Sequence, residues 1–115
     1  MDENLYKLCF FVPESHLESV KNALFEQGAG QFLQYDRCSW QTLGVQQFRP
    51  LPGSKPFIGK ENQSERVPEY KVEMVCRAAV IQQALLALIA AHPYELPAYE
   101  VYKIKRYQDF NKGIP

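Results

Sequence analysis

The chain has 115 residues, of which 46% are hydrophobic and 23% charged, so it is long enough for one domain with one core and too apolar for disorder. Lys and Arg number 13 against 13 Asp and Glu, so no net field draws the protein to nucleic acid. No apolar run reaches the roughly 18 residues of a membrane span. The opening MDENLYKL lacks a basic segment followed by a long apolar stretch, which points to the cytoplasm rather than to export. Cys9, Cys38 and Cys76 are too widely spaced for a zinc or redox pair and read as reduced thiols, mostly buried.

Residues 5–12, LYKLCFFV, place apolar side chains on both sides of an extended segment and predict a central strand. Pro13 then precedes a helix over 14–27. Ser15 and Glu18 have capping-box spacing, Leu17, Val20 and Leu24 share one stripe, and Gly28 and Gly30 end it. A second strand is expected over 34–49, with Cys38, Trp40 and Thr42 on one face and a bulge at Gly44. Residues 51–66, LPGSKPFIGKENQSER, form a loop of about 16 residues, a length that in one domain usually signals function. From 67 to 77, Tyr70, Val72, Met74 and Cys76 alternate with Glu69, Lys71 and Glu73, predicting a third strand with one wet face.

Val80, Ile81, Ala84, Leu85, Leu88 and Ile89 follow helical spacing up to Ala91 and predict a buried second helix. Residues 99–105 supply a fourth strand, and 106–115 a polar, loosely held tail. The order, strand, helix, strand, strand, helix, strand, predicts an α+β ferredoxin-like sandwich. It is a single domain over 1–115, core 5–105, with an antiparallel four-stranded sheet and two helices on one face. The first strand is apolar on both sides, so the open face needs cover, and self-association is the simplest cover.

Chemistry is sparse. In AHPYELPAYEVYKI, residues 91–104, His92 caps the helix end, Pro93 stops it, Pro97 extends the chain, and Tyr94 and Tyr99 cover the corner. The same residues also make His92 and Glu95 a candidate pair for a divalent metal, to be completed by His16, Cys38 or a second subunit. His16 otherwise faces solvent, and Cys38 otherwise packs beside Trp40. Lys55 and Lys60 in the long loop are candidates for contact with an anion or a partner, although no phosphate-loop pattern is present.

The stretches VPESHLESVKNALFEQGAGQ (12–31), YDRCSWQTLGVQQFRPLPGSKPFIG (35–59) and AHPYELPAYEVYKI together resemble the inserted domain of the Nif-three-like, or YqfO-type, di-metal hexameric proteins. The resemblance implies a fold similar to the trimeric PII and CutA proteins, with the long loop in the position where PII-like proteins meet effectors. In that family the proposed chemistry belongs to a surrounding domain whose His, Asp and Glu side chains hold two metal ions, and nothing resembling it is present here. The corner also departs from the family pattern, with Leu96 in place of a second acid and Glu100 in place of Asp.

The expected function is therefore a non-catalytic oligomeric module, a trimer by resemblance, that binds a small anionic effector or a protein partner. No cofactor is expected, and the alternative is a small divalent-metal-binding protein similar to CutA. Ligand contacts are expected from His92, Tyr94, Glu95, Tyr99, Lys55 and Lys60, and no residue is assigned to catalysis.

Overall fold

Alternation along β1 (Leu5–Val12) sorts the core: Leu8, Phe10 and Val12 lie on one side and are fully buried. In the computed structural model, which describes residues 4–106 and 109–110, this strand sits inside the sheet between β3 (Glu65–Arg77) and β4 (Tyr99–Ile104). The edge beyond β3 is β2 (Trp40–Phe48), giving the order β2-β3-β1-β4 with every pairing antiparallel. The helices are α1 (Leu17–Glu26), entered through a 3-10 turn at Glu14–His16, and α2 (Ile81–Ala91). This is the expected ferredoxin-like fold.

Register explains which face the helices cover. Leu8 pairs with Met74, Phe10 with Val72 and Tyr6 with Cys76, so the apolar sides of β1 and β3 coincide. Leu17, Val20 and Leu24 of α1 and Ala84 and Leu88 of α2 close over them. Truncating a fully buried Leu24 or Leu88 to Ala would cost about 2–5 kcal/mol, because the cavity only partly collapses.

Several boundaries differ from expectation. The second strand begins at Trp40, not 34, because Leu33 (φ 53°) and Arg37 (φ 55°) take left-handed conformations around a Phe32–Tyr35 bridge. Cys38 thus lies outside the strand, its N–H donating to Gly30 O at 2.8 Å. Gly30 has φ +80°, and a Cβ there would stand 2.8 Å from the Cys38 carbonyl oxygen, so glycine is required.

Gly44 is no bulge, since Leu43, Gly44 and Val45 face Tyr70, Glu69 and Pro68 in unbroken register. The capping box does not form: Ser15 Oγ bonds His16 Nδ1 at 2.8 Å, and no side chain caps α1. Ile89 turns out 47% exposed, α2 burying only Ala84 and Leu88 fully. The connection between β2 and β3 is 49–64. The tail expected over 106–115 falls largely outside the described residues. Among the described residues no helix is long and apolar enough to cross a membrane.

Candidate functional site

Antiparallel pairing brings the C-terminal ends of β1 and β2 and the N-terminal ends of β3 and β4 to one end of the sheet. The 49–64 connection and the 92–98 corner meet there, on the face that the helices leave open. Glu69 of β3, expected on a wet face, lies beneath them at 2% exposure. Lys71 and Glu73, further along the same face, are half-buried.

Four hydrogen bonds hold the corner in place. His92 donates from Nε2 to the Phe11 carbonyl at 2.7 Å, while its Nδ1 accepts the Tyr94 N–H at 3.1 Å. The Tyr94 hydroxyl donates to Glu69 Oε2. Glu95 Oε1 accepts the Lys55 backbone N–H at 3.0 Å, which ties the corner to the long connection. The Tyr94 ring lies 6.3 Å from Phe48 and 6.1 Å from Phe57, and Phe57 meets His16 edge-on at 5.6 Å.

The pocket there, partly open to solvent, measures about 220 Å³, and its lining includes Phe11, Phe48, Phe57 and Tyr94 with Glu69 and Glu95. No Lys, Arg or His lines it. Burial pushes the Glu69 carboxyl above its ordinary value, against the opposing pull of the Tyr94 hydrogen bond. Burial and the bond to Glu69 push the Tyr94 phenol well above its usual range. Burial also pulls His92 below 6.5, so the ring is neutral, in keeping with its one donated and one accepted bond.

The structure unites some of the expected residues and separates others. Tyr94 and Glu95 line the pocket, and His92 supports it from behind. Lys55 contributes its backbone; its side chain and that of Lys60 are outside the lining. Tyr99 lies on β4, 39% exposed, and does not reach the pocket. His92 is the C-cap of α2 as expected, its N–H donating to the Leu88 carbonyl at 2.9 Å, but its ring is neutral and bridges to β1 instead of offering positive charge to the helix end.

The candidate metal set is not assembled. Both ring nitrogens of His92 are engaged, Cys38 sits beside Phe32 and Trp40 in a different hollow, and His16 Nδ1 bonds Ser15. Among the described residues no three His, Cys, Asp or Glu side chains are grouped so as to hold a metal ion. Sequence reasoning missed Glu69, Phe11 and Phe48. Strand alternation alone could not reveal them, because it reports two faces and not where a distant loop covers one of them.

No family model matches the sequence. The chain is similar to one part of much longer proteins. It is 40% identical over 102 residues to the GTP cyclohydrolase 1 type 2 homolog of Halalkalibacterium halodurans, covering 89% of this chain and 27% of that protein. The crystal structure of a Bacillus cereus protein related to NIF3 superposes with a TM-score of 0.79 at 35% identity, over 90% of this chain and 26% of the other. The chain thus spans about a quarter of the length of the relatives it matches. The periplasmic divalent cation tolerance protein CutA of Archaeoglobus fulgidus matches with a TM-score of 0.65 at 16% identity, over 89% of this chain and 85% of that one. That likeness is one of fold.

Proposed function

We propose that this chain is a non-catalytic, self-associating binding module whose ligand enters the pocket between the 49–64 connection and the 92–98 corner. The observation that carries this reading is the pocket itself. It is apolar, convergent on a buried carboxylate, and its polar lining groups are already committed to hydrogen bonds, Tyr94 to Glu69 and Glu95 to the Lys55 N–H outside the lining. In the hydroxyl–carboxylate pair of the lining, Tyr94 with Glu69, burial holds the phenol well above its usual range, which opposes its use as a nucleophile.

Self-association is supported by apolar exposure on both edge strands. Trp40, Leu43 and Val45 of β2 are 59–69% exposed, and Tyr102 of β4 is 52% exposed. A closed trimer would cover such edges symmetrically. Contact of Lys55 and Lys60 with an anion or a partner outside the pocket is supported by the exposure of both side chains. A divalent-metal role has weaker support, since His92 offers no free ring nitrogen.

The relatives are named as GTP cyclohydrolase 1 type 2 homologs, but this chain spans about a quarter of their length. A pocket whose charged lining is carboxylate alone is also a poor host for a triphosphate. The test combines light scattering across dilution with incubation of the purified chain with GTP. An oligomer at micromolar concentration and no turnover are expected. A persistent monomer overturns the self-association, and GTP turnover abolished by Tyr94→Phe overturns the non-catalytic reading.

A further inference from the structure

We propose that the pocket selects a small organic cation, a primary ammonium or amidinium group on a short aryl or alkyl body, held by Glu69 within the ring of Phe11, Phe48, Phe57 and Tyr94. The proposal rests on the pocket-binding reading above and adds the chemistry of the ligand.

Glu69 is 2% exposed and lines the pocket. Its Oε2 accepts the Tyr94 hydroxyl, but its Oε1 is buried with no hydrogen-bond partner among the described residues. A buried acceptor left unsatisfied is unfavourable, and a carboxylate oxygen most of all. The missing partner is a donor, and a charged N–H donor answers a carboxylate better than a neutral one.

The surroundings favour the same sign. The charged side chains in the lining are Glu69 and Glu95, both acidic. Four aromatic side chains complete the wall, and their ring faces attract a cation while excluding water from it. Phe57, 52% exposed, and Leu96, 84% exposed, are lining residues that meet solvent at the rim. A volume of about 220 Å³ is below the roughly 300–1,000 Å³ of drug-sized sites, so the body attached to the cation is short.

Lysine side chains of the connection do not contribute. Lys55 offers only its backbone N–H, to Glu95, and neither it nor Lys60 belongs to the lining. The anion contact assigned to those lysines and the cation site are therefore separate, and one can be removed without the other.

The experiment is a calorimetric titration of the full chain with benzylamine, benzamidine, benzyl alcohol and benzoate, four probes of like size and different charge. It is run on the parent, on Glu69→Gln, and on a Lys55→Ala, Lys60→Ala double variant. Saturable binding of benzylamine or benzamidine is expected, with benzyl alcohol at least about tenfold weaker and benzoate weaker still. Glu69→Gln keeps an acceptor for Tyr94 and should lose the cations by at least about tenfold while binding benzyl alcohol as the parent does. The lysine variant should match the parent for cations. Equal binding of benzyl alcohol or benzoate, or cation binding indifferent to Glu69→Gln, overturns the cation claim and leaves the pocket. Failure of all four probes overturns the pocket reading with it.

Discussion

The His92 imidazole bridges the end of α2 and the interior strand β1, its Nε2 donating to the Phe11 carbonyl at 2.7 Å across 81 positions of sequence. The Phe11 N–H in turn donates to the Ala98 carbonyl at 3.3 Å, so one residue of β1 anchors both ends of the corner. Removing the ring strands the Phe11 carbonyl and the Tyr94 N–H together. His92→Ala should therefore lower stability by about 2–4 kcal/mol in urea unfolding, against less than about 1 for the half-buried His16→Ala.

The pH dependence of that bridge has a definite sign. The folded ring binds its proton less readily than the free residue at 6.5, so the unfolded chain takes up the extra proton. The contribution is fully present above pH 6.5 and is lost as pH falls through the folded value. Subtracting the unfolding curve of His92→Ala from that of the parent should show a difference that shrinks on acidification from pH 7 and is flat above it. A difference that grows instead would reveal a charged ring.

Glu69 behaves oppositely. Its folded carboxyl holds its proton more tightly than the free group at 4.5, so ionisation favours the unfolded chain, and stability declines as pH rises from 4.5 through the folded value. Glu69→Gln removes that slope. At pH 7 the variant should be at least as stable as the parent by thermal melting, and the gap between them should close toward pH 4.

Tyr94→Phe keeps the ring against Phe48 and Phe57 but leaves Glu69 Oε2 without its donor. A loss of about 1–3 kcal/mol is expected at pH 7. In the Tyr94→Phe, Glu69→Leu double variant, no buried carboxylate needs a partner, so much of the loss should return; additive losses in the four-member cycle would show the two residues uncoupled.

What the sequence made legible follows from what is local. Alternation in LYKLCFFV and in 70–76 identified the strands whose buried sides meet in register, and the spacing of Leu17, Val20 and Leu24 identified α1. The early turn at 31–39 was not legible, because it needs positive φ at Leu33 and Arg37, a conformation that those residue types do not announce. The site was half legible. Tyr94 and Glu95 stood out beside two prolines, but their partners Glu69 and Lys55 lie 25 and 40 positions away, and Glu69 looks like any solvated strand acid until a loop covers it.

The exposed edge of β2 carries a further expectation. Val45 is 69% exposed, so Val45→Lys should change protomer stability by no more than about 0.5 kcal/mol. If β2 forms the contact between copies, the same change should shift sedimentation toward the monomer. An unaltered oligomer would move the interface to β4 or to the exposed Leu86 and Ile89 of α2.

The claim that the 49–64 connection and the 92–98 corner close over Glu69 is tested most directly by following the Glu69 carboxyl carbon through a pH titration by NMR. The account predicts a midpoint above 4.5, with a single transition that moves when Tyr94→Phe removes the hydroxyl. A midpoint at or below 4.5, unchanged by that substitution, would place the carboxylate in water and contradict the closed pocket.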